Sequence, residues 1–387
     1  MLINDEDAAG TTGWAELLPE LLTVIMSKLP GKDQPSASLV CRSWRNSVSA
    51  LPNRYPPCLT RYHPRTRAWK FHKHGCNGST FQTSFPELHG SEIRCSRHGW
   101  LLMTRPDQGS FFFFDPCSRR TIHLPPMTDN GFTTFGFFGP PTEPGCTVLG
   151  LGDTGAPTAI DTCVLRRGEA AWEVHEHLVG GPEFPVSLAA PVMHAGRAHF
   201  VDKRGNVARL DVGAGGKLSV RWRCLRKRSG RLEGRIKEHY LVETDDGGLM
   251  GVFVFGDVGR VRVYRLSDED GRWDPVWEGV GEDNVVYLSQ GSSFIGPASE
   301  GKGNTACLPK FYKGCPVVYF FRDGKYRLAD GGDTGGDETV YALEHGKYRG
   351  DAAGLQSFNS AAWFVPEPAR WRSGPMDDSK GDGNFCF

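Results

Sequence analysis

The stretch FFFFDPCSRRTIHL, residues 111–124, indicates how most of this chain folds. It opens with four consecutive phenylalanines and closes with a second short run, from Thr121, that also suits a strand. Between the two runs lies Asp115-Pro116-Cys117-Ser118, where aspartate and proline favour a turn. The stretch therefore predicts a β-hairpin that turns at residues 115–118.

Similar hairpins recur along the chain. Four later stretches also place two β-type runs around a short polar turn, and they are CVLRRGEAAWEVHEHL, ARLDVGAGGKLSVRWRCL, VRVYRLSDEDGRWDPVWEGV and VVYFFRDGKYRLAD. The five hairpins begin near residues 111, 163, 208, 262 and 317. A period of roughly 40–50 residues made of strands alone is typical of a β-propeller with one blade per period. We expect about six blades, and the alternative is a pair of β-sandwiches with accidental spacing.

Two tryptophans strengthen the case for a repeat. Trp172 and Trp273 each follow an acidic turn, and each is followed by a valine and then by a Val-Gly pair. Equivalent residues at equivalent places in successive units are expected of a repeat architecture.

The first 53 residues have a different pattern. Their apolar residues recur at three- and four-residue steps, which predicts one helix from about Pro19 to Leu29 and a second from about Ser36 to Leu51. The fold class is therefore multidomain, with a small α-helical module ahead of an all-β propeller. The expected domains are a flexible leader (1–13), the helical module (14–53), the propeller (54–365) and a flexible tail (366–387).

The helical module carries more apolar residues than its own core needs. Leu17 and Leu18 are adjacent, and so are Leu21 and Leu22. Because neighbouring helical residues point in different directions, one member of each pair can face the core while the other faces outward. This pattern predicts an apolar surface that binds a partner.

The composition excludes several classes of protein. The 45 Lys and Arg residues balance 45 Asp and Glu residues, so net charge gives no attraction to nucleic acid or to an anionic membrane. No apolar run reaches the ~18–20 residues that span a bilayer, and MLINDEDAAG at the start lacks the features of a secretory signal. The eleven cysteines follow no framework spacing. We expect reduced thiols in a cytoplasmic and/or nuclear protein, with neither nucleic acid nor membrane as partner.

Residues 18–45, LPELLTVIMSKLPGKDQPSASLVCRSWR, resemble the F-box motif. Leu-Pro, two leucines, an isoleucine, a second Leu-Pro, an aspartate and Val-Cys-x-x-Trp-Arg follow in the motif's order. The resemblance implies binding to the Skp-type adaptor, and through it to a cullin, in an SCF-type ubiquitin ligase. The motif positions expected to form or support the adaptor contact are Leu18, Pro19, Leu22, Ile25, Val40, Cys41, Trp44 and Arg45. The alternative for Ile25, Leu39 and Trp44 is that they only fill the module's core.

The propeller region carries a second resemblance. GWLLMTRPDQGSFFFFDPCSRRTIHLPP, from Gly99, is similar to the signature of plant F-box proteins with a Kib-type β-propeller, although Cys117 stands where that family often has an aromatic residue. This resemblance implies that the propeller is a receptor for a target protein, whose identity it does not give.

No set of residues predicts catalysis, a cofactor or a metal site. His72, His74 and Cys76 are close in sequence, but no second pair stands at zinc spacing, which favours an exposed loop. The segment SQGSSFIG lacks a G-x-S-x-G elbow. We expect a non-catalytic substrate-recognition subunit without cofactors. The alternatives are a scaffold that uses its F-box without ubiquitylation, and a propeller enzyme.

Overall fold

The structure is a computed structural model, and the boundary between its two compact units falls at Tyr55/Pro56 and again at Val365/Pro366. The residues that it describes are 17–29, 37–50, 57–63, 68–73, 80–127, 131–156, 158–179, 183–211, 235–256, 259–267, 272–298, 302–312, 315–329, 339–344, 347–350, 355–357 and 361–366.

Within its described residues, the first unit has the α-helices α1 (Pro19–Lys28) and α2 (Arg42–Ala50), and residues 37–38 are also helical. Helix α1 begins with a proline, whose missing N–H costs nothing in the first turn. The prediction of one continuous second helix from Ser36 is wrong. The Val40 amide donates to the Ala37 carbonyl in a tight turn, and the next backbone bond runs from Arg45 to Cys41. This tighter bond interrupts the four-residue spacing of an α-helix, so the continuous helix begins only at Arg42.

The second unit is built from strands, and its described residues include short 3-10 turns at Pro86–Leu88 and Pro106–Gln108. The strands are β1 (Cys58–His63), β2 (Ala68–Lys73), β3 (Thr80–Thr83), β4 (Glu92–Arg97), β5 (Trp100–Arg105), β6 (Ser110–Asp115), β7 (Arg120–His123), β8 (Phe132–Phe138), β9 (Thr147–Asp153), β10 (Ala159–Arg166), β11 (Glu173–Leu178), β12 (Val192–His194), β13 (Arg197–Val201), β14 (Val207–Asp211), β15 (Ile236–Glu243), β16 (Leu249–Phe255), β17 (Arg260–Leu266), β18 (Trp273–Val276), β19 (Asn284–Tyr287), β20 (Phe294–Pro297), β21 (Thr305–Tyr312), β22 (Cys315–Phe320), β23 (Lys325–Leu328), β24 (Thr339–Glu344), β25 (Lys347–Gly350), β26 (Leu355–Ser357) and β27 (Ala362–Phe364).

These strands form six sheets, which are the blades of a six-bladed β-propeller. Blade 1 is β27-β1-β2-β3, blade 2 is β4-β5-β6-β7, blade 3 is β8-β9-β10-β11, blade 4 is β12-β13-β14, blade 5 is β15-β16-β17-β18, and blade 6 is β20-β19-β21-β22-β23-β24-β25 with β26 paired to β21. Strand β27 closes the ring by pairing antiparallel with β1, so that Cys58 lies opposite Phe364. The expectation of about six blades is confirmed, and the sandwich alternative is wrong.

Apolar side chains fill the seams between blades, so many strands are buried on both faces. In β6, the Phe113 ring lies 4.9 Å from that of Phe137 in blade 3. The next residue, Phe114, faces the other way and lies 5.1 Å from the ring of Phe85, which follows β3 of blade 1. This double burial explains why four phenylalanines stand in a row without polar alternation.

The hairpins predicted from the sequence are formed by the outer strands of the blades, so they recur once per blade. The predicted hairpins are β6–β7, β10–β11, β17–β18 and β22–β23, while the second half of the hairpin from residue 208 lies outside the described residues. The two repeated tryptophans also act alike. Trp172 of blade 3 donates its Nε1–H to the Pro125 carbonyl after blade 2, at 2.8 Å. Trp273 of blade 5 donates to the Gly205 carbonyl of blade 4, at 2.7 Å. Each therefore fastens one blade to the preceding one.

Candidate functional site

The helical module has a small apolar core of its own. Leu22, Met26, Ala37 and Val48 are buried together where α1 packs against α2 and the turn before it. Four further side chains are partly buried against this core, and they are Leu17, Ile25, Leu29 and Trp44.

The same module exposes a set of large apolar side chains. The exposed fractions are 63% for Leu18, 52% for Leu21, 56% for Val24, 71% for Leu39 and 63% for Val40. In the rest of the described chain, only Leu178 at 77% and Trp277 at 68% are large apolar residues exposed to this degree. Leu18 directly precedes α1, and Leu21 and Val24 follow it at three-residue steps on the helix. Such a concentration of exposed apolar surface in a short module is typical of a binding surface.

The doubled leucines divide as their spacing predicts. Leu22 is fully buried while Leu21 is 52% exposed, and Leu18 is exposed while Leu17 is half-buried. One member of each pair therefore serves the core and the other faces solvent.

The eight predicted adaptor-binding residues lie at different depths. Leu18, Pro19, Val40 and Arg45 are exposed, Ile25, Cys41 and Trp44 are half-buried, and Leu22 is buried. Leu22 could thus only support a contact from beneath. The alternative that Leu39 belongs to the core is wrong, because the turn at residues 39–40 points its side chain outward.

The propeller contains a cavity of about 520 Å³ at the point where its blades meet. All six blades contribute to its wall, and the lining residues include 95–99, 136–137, 190–192, 243–245, 291–295, 363 and 365. A cavity at the centre of a ring of blades is a common place for a propeller to bind a ligand or a partner's side chain.

A serine-rich segment crosses the middle of this ring. The Ser96 amide of blade 2 donates to the Gly291 carbonyl at 3.0 Å, and the Ala190 amide ahead of blade 4 donates to the Gln290 carbonyl at 2.7 Å. The Ser292 hydroxyl donates to the Trp363 carbonyl of blade 1 at 2.7 Å. Blades 2 and 4 do not adjoin blade 6 in a six-bladed ring, so residues 290–292 tie distant blades together at the cavity.

The cavity wall is polar and of mixed charge. The Arg97 guanidinium lies 5.6 Å from the centre of the Phe138 ring, and burial lowers the pKa of Arg97 while the nearby Glu243 carboxylate raises it. Glu243 lies 3.8 Å from Nδ1 of His194. Glu243 and Asp245 are both exposed, so neither occupies the apolar pocket that turns a carboxyl group into a general acid. Such a wall suits recognition of a polar group through hydrogen bonds and ion pairs.

The remaining predictions from the sequence concern a possible metal site, the cysteines and membrane-spanning segments. His72 is buried in β2 rather than in an exposed loop, and its ring nitrogen lies 3.5 Å from the Arg61 guanidinium, while His74 and Cys76 lie outside the described residues. No group of three or more potential metal ligands occurs among the residues that the structure describes. Cys41, Cys95, Cys146 and Cys315 are free thiols. No helix in it is long and apolar enough to cross a bilayer.

Two family models match the chain. The KIB1-4 beta-propeller model matches residues 70–341, and the F-box domain model matches residues 14–55. The chain belongs to the KIB1-4 beta-propeller family. It is a plant F-box/propeller protein, as the two sequence resemblances predict.

Three Arabidopsis thaliana proteins are similar to parts of this chain. The F-box protein At4g00893 is 34% identical over 139 residues, which are 36% of this chain and 35% of that protein. The F-box/kelch-repeat protein At3g18720 is 31% identical over 177 residues, 42% of this chain and 45% of that protein. The F-box protein At1g49360 is 29% identical over 166 residues, 41% of this chain and 34% of that protein. The chain therefore spans less than half the length of each.

Solved structures resemble the chain only loosely. A luciferin-regenerating enzyme covers 60% of this chain and 83% of its own, at 12% identity and a TM-score of 0.36. A streptogramin B lyase covers 70% of this chain and 80% of its own, at 10% identity and a TM-score of 0.32. Overlaps this loose carry no conclusion about activity.

The sequence did not predict some of the residues in the two candidate sites of this KIB1-4 protein. Leu21 and Val24 are exposed on α1 but were not among the predicted adaptor-binding residues, and their three-residue steps from Leu18 were the signal that could have included them. Gln290 and Gly291 reach across the propeller. The richness of that segment in small polar residues marks a turn, but it does not reveal which blades the turn joins.

Proposed function

We propose that the chain is the substrate-recognition subunit of an SCF-type ubiquitin ligase. In this proposal the F-box binds a Skp-type adaptor, the adaptor binds a cullin, and the propeller binds a target protein. The observation that carries the proposal is the exposed apolar surface of the F-box module, beside a family assignment that pairs this module with a propeller.

The energetics of the F-box surface favour a protein partner. Leu18, Leu21 and Val40 each expose more than half of their surface. Burying one such side chain fully is worth about 1.5–3 kcal/mol, so a few of them can supply most of an interface's binding energy. Arg45 lies exposed in α2, five residues after Val40, and arginine is common in interfaces.

The target would bind at the propeller. The central cavity offers a mixed-charge wall that could accept a polar side chain, and the loops around it supply a wider contact surface. In such a complex this chain does no chemistry itself. It would raise the effective concentration of the target near the charged ubiquitin carrier, and the transfer would take place on other subunits.

Affinity capture with matched variants tests the adaptor part of the proposal. Leu21→Asp with Val40→Asp changes two exposed residues of the F-box. Leu178→Asp with Val174→Asp makes the same pair of changes on exposed residues of β11 in the propeller, and it serves as the control. We expect the F-box pair to lose the adaptor, by 100-fold or more if about 3 kcal/mol of binding energy is removed, and the β11 pair to keep it. Retention of the adaptor by the F-box pair contradicts the proposal.

A second measurement separates a ligase subunit from a scaffold. Proteins captured by both the wild type and the F-box pair are candidate targets, because their binding does not need the adaptor. We expect at least one of them to accumulate in cells that carry the F-box pair in place of the wild type. If the adaptor is lost and no captured protein turns over more slowly, the chain uses its F-box without ubiquitylation.

A further inference from the structure

Trp277 stands apart from the other described tryptophans because most of its surface is exposed. Its exposed fraction is 68%, whereas Trp69, Trp100 and Trp363 are at most 4% exposed. It directly follows β18, the last strand of blade 5. Tryptophan is among the residues most enriched at the energetic centres of protein interfaces.

The indole forms one wall of a groove between two blades. The groove has a volume of about 320 Å³ and runs between strands β17 and β18 of blade 5 and the β22–β23 turn of blade 6. Its walls include Arg260 and Arg262 from β17, Trp277, and Arg322 and Asp323 from the turn. The seam beneath it is fixed, since the Tyr326 hydroxyl of blade 6 donates to the Gly259 carbonyl of blade 5 at 2.6 Å.

The charges along the groove are unequal. Its lining holds three guanidinium groups and one carboxylate. The carboxylate, Asp323, is paired at 2.5 Å with Arg327, and Arg322 is paired at 2.8 Å with Glu282. Among the described residues, the guanidinium groups of Arg260 and Arg262 therefore have no carboxylate partner.

One of these arginines is already held in place by the tryptophan. The Arg262 guanidinium carbon lies 5.2 Å from the centre of the Trp277 ring, in the range of a cation–π contact. Arg262 is also half-buried, so its side chain has less freedom to lose on binding than an extended surface arginine. A fixed guanidinium presents paired N–H donors that match the two oxygens of a carboxylate.

We propose that this groove, formed by Arg260, Arg262, Trp277 and Arg322, binds an acidic peptide segment of a target protein that carries an aromatic or long aliphatic residue beside its carboxylates. The carboxylates contact Arg260 and Arg262, and the apolar residue covers the exposed face of Trp277. A neutral or basic segment would leave the two positive charges uncompensated. The inference concerns binding by blades 5 and 6 alone, so it stands or fails separately from the role of the F-box.

Peptide selection on the full-length chain tests the proposal. A phage-displayed library of random peptides is selected on the wild type and depleted on the Trp277→Ala variant. We expect the enriched peptides to carry net negative charge and at least one aromatic or long aliphatic residue. Synthetic copies of them should bind the wild type more tightly than the Trp277→Ala and Arg262→Glu variants by about 10-fold or more, as loss of an interface anchor implies.

The matched control is Arg120→Glu, which reverses the charge of an exposed arginine on β7 of blade 2. It changes the net charge of the protein as Arg262→Glu does, but it lies outside the groove. We expect it to weaken binding by less than about 2-fold. The proposal is overturned if the enriched peptides are neutral or basic, if no peptide distinguishes the wild type from Trp277→Ala, or if Arg120→Glu and Arg262→Glu weaken binding equally.

Discussion

Replacing Trp363 with alanine should weaken the seam at which the propeller ring closes. Trp363 lies in β27, the strand that pairs with β1, and it is only 4% exposed. Its Nε1–H donates to the Leu288 carbonyl of blade 6 at 3.0 Å, and its ring meets that of Tyr287 edge-on at 5.0 Å. The Trp363 side chain therefore fastens the closing strand of blade 1 to blade 6.

The size of the effect follows from these contacts. Truncating a buried tryptophan to alanine costs about 3–5 kcal/mol, and the loss of the hydrogen bond to Leu288 adds about 1 kcal/mol. A domain with a total stability of about 5–15 kcal/mol would lose a large share of it. The entropy of unfolding is ~2.1 cal/mol/K per residue. The Tm of the propeller unit, Pro56–Val365, therefore falls by ~1.5 °C for each kcal/mol of stability lost. The expected fall in Tm is therefore about 6–9 °C.

Urea and thermal unfolding of the wild type and the variant measure this effect. Trp277→Ala is the matched control, because it makes the same substitution at a residue that is 68% exposed and should cost less than about 1 kcal/mol. If Trp363→Ala unfolds at the same urea concentration as Trp277→Ala, the ring does not depend on closure through β27, and the argument from burial is refuted.

Three further predictions concern the F-box core, one histidine and the thiols. Leu22→Asp should destabilise the F-box module by about 3 kcal/mol or more because it buries a carboxylate. Leu21→Asp places its carboxylate on the surface and should cost less than ~0.5 kcal/mol. Limited proteolysis of the F-box module, residues 14–55, compares the stability of the two variants. Burial, and then the charges of neighbouring basic residues, lower the pKa of His72 to about 4, below the unfolded value of 6.5. The unfolded state then binds more protons in this window, so stability should fall as the pH drops from about 6.5 to 4, and His72→Gln should flatten the slope by up to ~1.4 kcal/mol per pH unit in urea titrations. Burial raises the pKa of the Cys95 thiol, so iodoacetamide at neutral pH should spare Cys95 and modify the half-exposed Cys41, as mass spectrometry can show.

Each of these has an outcome that contradicts it. Equal proteolysis of the Leu21 and Leu22 variants would remove the distinction between the buried and the exposed leucine. An unchanged pH slope in His72→Gln would mean that another group controls acid stability. Rapid alkylation of Cys95 in the folded protein would contradict its place in the apolar seam between blades 2 and 3.

The sequence alone determined the features that depend on near neighbours along the chain. A hairpin is a local structure, so the turn at Asp115 and the β-type runs beside it were enough to predict β6 and β7. The repeated spacing of such hairpins gave the propeller and its six blades. In the F-box, helical geometry alone predicted that adjacent leucines would divide between the core and the surface, as Leu21 and Leu22 do.

Only the tertiary structure decided the features that join distant residues. Strand β27 is three residues long and has no hairpin partner of its own, so its pairing with β1 could not be read from local pattern. The hydrogen bonds of Gln290 and Gly291 to blades 4 and 2 likewise depend on the ring having closed. The groove at Trp277 needs blade 6 beside blade 5. These contacts form between segments far apart in sequence, and their energy comes from packing that exists only once the blades have stacked.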